Sequence, residues 1–123
     1  MTPAMAPRPP LAGLRVIESS LLGPGAITTH LADLGAEVIK VESPGGDYIR
    51  EMTWPIVEGV SLMHLHISRG KRSITLDLRT DLGRDAFLRL VDRSDVFVEN
   101  NSVTVIDKLG IGFADLKKIN PGL

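Results

Sequence analysis

The fold is decided by residues 23–42, GPGAITTHLADLGAEVIKVE. The Gly23-Pro24 pair at its start is typical of a turn that opens a helix, and Gly35 lies where a helix commonly stops. Between them, three apolar residues recur at i, i+4 and i+7 and predict one apolar helix face: Ile27, Leu31 and Leu34. The β-branched residues at 38–41 then predict a short buried strand.

The residues on either side of this stretch extend the same pattern. A strand is predicted at 15–18, so the first part of the chain forms a strand–helix–strand unit long enough for a parallel crossover. The later predicted elements are an irregular excursion at 43–59, a short helix at 61–66, a strand at 74–78, a helix that begins after Thr80, a strand at 96–98 and short helices at 103–109 and 113–119. Because strands alternate with helices, the sequence predicts a doubly wound α/β fold with a largely parallel sheet.

Length and composition limit the classes of protein. The chain has 123 residues and no apolar run long enough to cross a membrane, so we expect one domain at 11–123 after a disordered, proline-rich lead-in at 1–10. A net charge of −1 argues against a general nucleic-acid-binding surface. Cysteine is absent, which excludes disulfides and thiolate metal sites and fits a cytoplasmic protein.

Four loops follow the predicted strands at their carboxyl ends, at 19–25, 43–47, 76–80 and 99–102. In a doubly wound sheet, ligands bind outside the carboxyl ends of the strands. We therefore expect a binding site where these four loops meet.

The turn at Gly23-Pro24-Gly25, followed by Glu42 at the end of the next strand, is close to the dinucleotide-binding fingerprint. Two details do not fit. The third glycine of the fingerprint would fall at Thr28, and Pro24 lacks an N–H group that could serve a phosphate. The motif alone therefore favours a structural turn over a site for NAD or FAD.

Two further patterns carry charge or potential metal ligands. Three cations surround a glycine in the segment RGKR at 69–72, which could clamp phosphates or form a solvated strand entry, and the sequence does not separate the two interpretations. His64 and His66 lie two residues apart, but a third ligand is missing, so a metal site is not favoured. Three acids at predicted strand ends are interpreted as caps and turn acceptors: Glu18, Glu42 and Glu99.

Taken in order, nine short motifs resemble one protein family. They are LAGLRVI at 11–17, Gly23-Pro24, LADLGAEVIKVE at 31–42, RGKRS at 69–73, LDL at 76–78, Asp95-Val96, Glu99-Asn100, Leu109-Gly110 and Asn120-Pro121. The series resembles the family III CoA-transferases, which include formyl-CoA transferase, carnitine CoA-transferase and α-methylacyl-CoA racemase. The resemblance runs from Leu11 to the last residue.

The resemblance implies a Rossmann-like domain that binds coenzyme A, in homodimers of two interlocked chains. Carried over by position, the residues that bind coenzyme A would be Leu21, Leu22, Ser43, Leu76, Asp77, Leu78, Arg79, Asn100, Asn101, Ser102 and Lys108. Arg72, from the cationic segment, joins them as a candidate for phosphate charge. The sequence departs from the family at Ser43, where some relatives have arginine, and after Asn100, where the usual aromatic and basic residues are missing.

The function that the resemblance implies is transfer of CoA from an acyl-CoA to a carboxylic acid through an aspartyl mixed anhydride. In the family the catalytic aspartate lies beyond the Asn120-Pro121 motif, so no catalytic residue is assigned here. We expect the chain to supply CoA-binding segments, with a homodimer or a complementary C-terminal chain completing the enzyme. Two alternatives stay open: an α-methylacyl-CoA racemase, and a truncated, non-catalytic CoA-binding or assembly module. No metal, nucleic acid or membrane partner is expected.

Overall fold

The computed structural model describes residues 7–54, 56–57 and 59–123. The strands in this part of the chain are β1 (Arg15–Ser19), β2 (Glu37–Glu42), β3 (Ile56–Val57), β4 (Val60–Ser61), β5 (Arg72–Thr75) and β6 (Val96–Glu99). The helices are α1 (Gly23–Asp33), α2 (Ile49–Met52), α3 (Leu62–Ser68), α4 (Asp81–Val91), α5 (Val103–Leu109) and α6 (Phe113–Ile119).

Four strands form a parallel sheet in the order β5-β2-β1-β6, and β3 pairs with β4 as a separate antiparallel ribbon. From β1 the chain passes through α1 to β2 and continues outward to β5. It then returns through α4 to the other side of β1, where β6 pairs. The predicted α/β class with a parallel sheet is confirmed, and the direction of winding reverses between β1 and β6.

Helices cover both faces of the sheet because successive strand residues point to opposite sides. On one face Val16 and Val38 pack against residues of α1. On the other, Ile17 and Val41 share a core with Phe87 of α4 and with residues of α5 and α6. Burying the Phe87 side chain completely stabilises the fold by about 2 kcal/mol.

Helix α1 has the predicted position but buries only part of the predicted face, where Leu31 packs against Val16 and Val38. Ile27 is 60% exposed and Leu34 is 46% exposed, whereas Thr28 and Thr29 are buried. The reason is polar: the Thr28 hydroxyl donates to Glu18 Oε2, and the single proton of the Thr29 hydroxyl is shared between the carbonyls of Gly25 in α1 and Ile67 in α3. Hydrophobic spacing alone was wrong for Ile27 and Leu34 because it ignored a buried carboxylate that needs donors.

The third strand of the sheet is shifted relative to its prediction. It covers Arg72–Thr75 rather than 74–78, because its pairing with β2 ends where Leu76 N–H donates to Glu42 O. The chain then turns, with Thr80 N–H donating to Asp77 O. Residues 76–78 therefore belong to a loop rather than to a strand.

The excursion at 43–59 contains α2 and β3 in its described part, although no regular element was expected there, and β3 pairs with β4 directly after it. The short helix expected at 61–66 is confirmed as α3 and extends to Ser68. Helices α4, α5 and α6 and strand β6 agree with their predictions within about one residue.

Residues 1–6 of the predicted lead-in lie outside the described residues. Pro9 lies within them and packs on the turn after α1: a Cβ atom added to Gly35 would come within 2.3 Å of Pro9 Cβ. Gly35 also has φ +98, which favours glycine, so both backbone and packing require it. None of the described helices is long and apolar enough to cross a membrane.

Candidate functional site

Two adjoining cavities of about 380 and 330 Å³ open at the carboxyl ends of the sheet strands. We call them together the strand-end crevice. Both are lined by Ser19, Val41, Ser43 and Asn101. The crevice therefore lies beside the reversal between β1 and β6, which is where doubly wound proteins bind their ligands.

Two asparagines join the loops after β1 and β6. Leu21 N–H donates to Asn100 Oδ1 at 3.0 Å, and Asn100 Nδ2 donates to Leu21 O at 3.0 Å. Asn101 Nδ2 donates to Ser19 O at 3.2 Å. These bonds replace strand pairing just beyond the sheet and fix the position of one loop relative to the other.

The loop after β1 contains a strained residue. Leu22 has φ 54 and ψ −112, and it is the one non-glycine residue with positive φ among those described. Such a conformation costs about 1–3 kcal/mol and persists where the surroundings enforce it. It turns the chain sharply from β1 into α1, whose Ala26 N–H donates to Leu22 O.

The loop after β5 forms the opposite wall of the larger cavity, with Leu76, Leu78 and Arg79 among its lining residues. Arg79 forms two bonds of 2.8 and 2.9 Å to Asp77, whose pKa these hydrogen bonds hold below its usual value. The loop ends at the N-cap Thr80, whose hydroxyl accepts from Gly83 N–H at 3.1 Å.

The loop after β2 lies between the two cavities. It closes in a tight turn, because Gly46 N–H donates to Ser43 O at 2.8 Å, with Gly46 at φ +78. Ser43, Pro44 and Gly45 are all exposed, and their surfaces face the larger cavity.

A cluster of charges lies buried beneath the crevice; we call Glu18, Lys40, Asp47 and Lys71 the buried ion cluster. Glu18 Oε1 is 2.9 Å from Lys40 Nζ, Glu18 Oε2 is 2.7 Å from Lys71 Nζ, and Lys40 Nζ is 2.9 Å from Asp47 Oδ2. Each of the four side chains is at most 3% exposed. The cluster holds two cations and two anions, so its formal charge is zero.

Neighbouring groups favour the ionised forms of Glu18 and Lys40, whereas burial acts against the charged form of Lys71. Burial would raise the pKa of the Glu18 carboxyl, but hydrogen bonds from Lys71 and Thr28 outweigh burial and lower it. Burial would lower the pKa of Lys40, and Asp47 and Glu18 raise it instead. For Lys71, burial prevails over Glu18 and the pKa falls.

A second buried carboxylate adjoins the cluster at Glu42, the last residue of β2. Arg50 binds it through two nitrogens at 2.8 and 3.1 Å, and the Ser73 hydroxyl donates to it at 2.8 Å. Burial opposes ionisation, but these donors lower the pKa of Glu42 to about 2. The acids Glu18 and Glu42 are thus centres of ion pairing. The prediction that the strand-end acids serve as caps and turn acceptors was wrong for Glu18, but Glu42 also accepts from Asp47 N–H at 3.1 Å and Glu99 accepts from Asn101 N–H at 2.7 Å.

The histidines do not form a metal site with their neighbours. His64 is buried in α3, where burial first and Arg50 second lower its pKa, whereas His66 is exposed. Both lie on a helix, so a spacing of two residues directs them to different sides. No three potential metal ligands converge among the residues that the structure describes.

The structure brings together many of the residues that the resemblance indicated. The crevice is lined by Leu21, Ser43, Leu76, Asp77, Leu78, Arg79 and Asn101. Leu22 and Asn100 shape the loops of the crevice without lining it. Ser102 occupies the N-cap position of α5 without a side-chain capping bond, and the last turn of α5 contains Lys108.

Arg72 lies elsewhere. As the first residue of β5, it is at the amino end of the sheet, and its guanidinium is 2.9 Å from Glu37 at the start of β2. Its neighbours in the cationic segment also diverge: Arg69 pairs with Asp33, and Lys71 belongs to the buried ion cluster. The three cations therefore do not form one phosphate clamp.

Sequence reasoning missed Lys40 and Tyr48 as residues of the crevice, although both line the smaller cavity together with Asp47 of the predicted loop at 43–47. A signal for Lys40 exists in the sequence VIKV, where a lysine interrupts a buried strand. Glu18 is directly opposite it in the β1–β2 register. An acid and a base at matching positions of two neighbouring buried strands predict an internal ion pair.

The parallel sheet, its reversal point and the crevice define an α/β protein of the doubly wound, Rossmann-like class. The profile of CoA-transferase family III matches residues 11–123, and the chain belongs to this family.

Three relatives illustrate the similarity. The chain is 44% identical to the succinyl-CoA:mesaconate CoA-transferase of Haloarcula hispanica, over 92% of this chain and 30% of the relative. It is 45% identical to the acetyl-CoA:oxalate CoA-transferase of Acetobacter aceti, over 99% of this chain and 31% of the relative. The crystal structure of a CaiB/BaiF family protein from Brucella suis superposes with a TM-score of 0.85 at 45% identity, over 93% of this chain and 32% of that chain. The chain thus spans 30–32% of the length of these relatives.

Proposed function

We propose that the chain carries the CoA-binding part of a family III CoA-transferase, which moves CoA between carboxylic acids. The observation that supports this most is the strand-end crevice, because residues that the family resemblance indicates for CoA line it at the reversal of the sheet. The CoA-transferase relatives named above supply the reaction class.

The chemistry of the crevice fits the parts of CoA. Leu76 and Leu78 offer apolar surface to the adenine or the pantetheine chain, and the exposed guanidinium of Arg79 can meet phosphate oxygens. The proposed binding set is Leu21, Leu22, Ser43, Leu76, Asp77, Leu78, Arg79, Asn100, Asn101, Ser102 and Lys108. Arg72 is left out because of its position at the amino end of the sheet.

In the mechanism that we propose, an aspartate carboxylate attacks the thioester carbonyl of an acyl-CoA. The carbon–sulfur bond breaks, which gives an acyl-aspartyl anhydride and the CoA thiolate. The thiolate and the acceptor carboxylate then complete the exchange through enzyme-bound intermediates. We assign this aspartate to no residue of the present chain.

The test is calorimetric titration of CoA into the protein as its own gene encodes it, followed by transfer assays with a panel of acyl-CoA donors and carboxylic acids. Saturable binding and transfer of CoA would support the proposal. Absence of binding at millimolar CoA would overturn it. Binding without transfer would identify a CoA-binding module, and exchange of an α-proton with solvent in the absence of any acceptor would identify a racemase.

We also propose that the protein acts as a homodimer in the cytoplasm. Apolar side chains exposed on α1 and α3 support an interface, namely Ile27, Leu62 and Leu65, which are 60, 46 and 53% exposed. Sedimentation equilibrium tests the dimer, and cell fractionation tests the location. A monodisperse monomer would contradict the first part.

A further inference from the structure

Lys40 contacts two of the loops that form the strand-end crevice. Its Nζ atom donates to Ser20 O at 2.9 Å, in the loop after β1, and lies 2.9 Å from Asp47 Oδ2, in the loop after β2. The third contact, at 2.9 Å, is Glu18 Oε1 at the end of β1. The contacts to Ser20 and Glu18 are hydrogen bonds, and the contact to Asp47 is an ion pair.

The position of Lys40 makes these contacts rigid. The side chain is 3% exposed and rises from the middle of β2, with Glu18 directly opposite in the neighbouring strand. Ser20 and Asp47 line the smaller cavity on its two sides. A single buried cation therefore contacts both loops.

We infer that Lys40 is a positioning residue that holds both loops of the crevice in the geometry that binds CoA. The inference rests on the proposed CoA site. If the Lys40 ammonium were removed, the Asp47 carboxylate would stay buried but would lose its cationic partner. The loop at 43–47 would then move toward water so that the carboxylate is solvated. Binding would then require the loop to be ordered again, which weakens affinity.

Lys71 offers a matched control because it belongs to the same buried ion cluster. Its Nζ atom donates to Glu18 Oε2 at 2.7 Å, Gly25 O at 2.6 Å and Thr28 Oγ1 at 2.8 Å. Its two other partners lie in α1, and it does not line either cavity of the crevice. Removing it takes away an equally buried cation beside Glu18 without releasing the crevice loops.

The experiment compares Lys40→Met with Lys71→Met in the protein as its own gene encodes it, at a temperature where both variants are folded by circular dichroism. We expect Lys40→Met to weaken CoA binding by about tenfold and Lys71→Met to change it by less than about twofold. Hydrogen exchange of the amides at 19–22 and 43–47 should quicken in Lys40→Met alone. Since this second readout needs no ligand, it separates failure of the inference from failure of the CoA assignment.

Should Lys40→Met not fold, Asp47→Asn replaces it. That variant keeps an Oδ1 acceptor for Ile49 N–H, which lies 2.9 Å from Asp47 Oδ1 in the wild type. It removes the negative charge that faces Lys40. It should quicken exchange at 43–47 and leave 19–22 protected. Equal exchange in the two lysine variants, or wild-type CoA affinity in Lys40→Met, would overturn the inference. A wild-type protein that does not bind CoA would overturn the proposed function.

Discussion

Asn100 and Leu21 are 79 residues apart in sequence and pair in both directions, with the backbone N–H and C=O of Leu21 each bonded to the Asn100 amide at 3.0 Å. This pair lies just outside the sheet, where β1 and β6 stop exchanging backbone bonds. Only a carboxamide has a donor and an acceptor at the spacing that this contact uses.

Replacement of Asn100 by aspartate should therefore harm the crevice although it keeps the shape of the side chain. The carboxylate can accept from Leu21 N–H but faces Leu21 O without a donor, so we expect a loss of about 1–2 kcal/mol in the free energy of unfolding. CoA affinity should fall as well. Urea unfolding and calorimetry measure the two effects, and unchanged values in both would contradict the role of the pair.

The strain at Leu22 predicts an unusual order of two variants. Leu22→Gly relieves the positive φ, whereas Leu22→Ala retains it, so the glycine variant should be more stable than the alanine variant by about 1 kcal/mol. At Ala86, inside α4, the order is reversed, and Ala86→Gly should cost about 1 kcal/mol. Thermal unfolding of the three variants tests this. An alanine variant at least as stable as the glycine variant would show that Leu22 is not strained.

Glu42 predicts a specific acid sensitivity. Its pKa is about 2 in the folded protein against an ordinary value of 4.5, so the unfolded chain takes up a proton first as the pH falls. The stabilisation, about 2–3 kcal/mol, is complete above the ordinary value and is lost as the pH falls through 4.5 toward about 2. Urea unfolding from pH 6 to pH 2.5 measures it.

In Glu42→Gln this part of the pH dependence should disappear. The exposed Glu51 on α2 provides the control, because Glu51→Gln should keep the acid sensitivity of the wild type. A parallel decline of stability in wild type and Glu42→Gln would rule out the Glu42–Arg50 pair as its source.

Gly83 fixes the loop that carries Asp77 and Arg79. A Cβ atom added there would lie 2.1 Å from Asp77 O, so Gly83→Ala must displace the loop and should cost about 3 kcal/mol in the free energy of unfolding. At Gly45 an added Cβ meets only Ser43 Oγ, at 3.8 Å, and Gly45→Ala should change stability by less than about 0.5 kcal/mol. Equal effects of the two substitutions on urea unfolding would contradict the packing argument.

Arg79 and Arg72 should differ in their effect on CoA. Arg79 lines the crevice, so Arg79→Ala should weaken CoA binding about fivefold at low salt, and less at high salt because ions screen the phosphate contact. Arg72→Ala removes a pair with Glu37 at the other end of the sheet and should leave CoA affinity within about twofold. Titrations of CoA at two salt concentrations measure both effects. If the two substitutions weakened CoA binding equally, Arg72 would belong to the binding set.

The sequence by itself determined the fold class and the place of the crevice. Glycine and proline signals, together with runs of apolar residues, mark where strands and helices begin and end, and these signals act over a few residues. Parallel strands joined by helices leave their carboxyl ends at one edge of the sheet, so the loops containing Ser43, Arg79 and Asn101 could be placed there without coordinates.

Only the tertiary structure decided which charges are buried and which ones meet. Glu18, Lys40 and Lys71 come from three separate segments, and the pKa shifts of Glu18 and Lys40 toward their ionised forms depend on partners that register and helix packing bring within 3 Å. The same packing turned Thr28 rather than Ile27 toward the sheet and sent Arg72 away from the crevice. Contacts between distant segments depend on the whole fold. Residues 23–42, in contrast, form their helix and strand through conformational preferences of neighbouring residues, which do not depend on the rest of the fold.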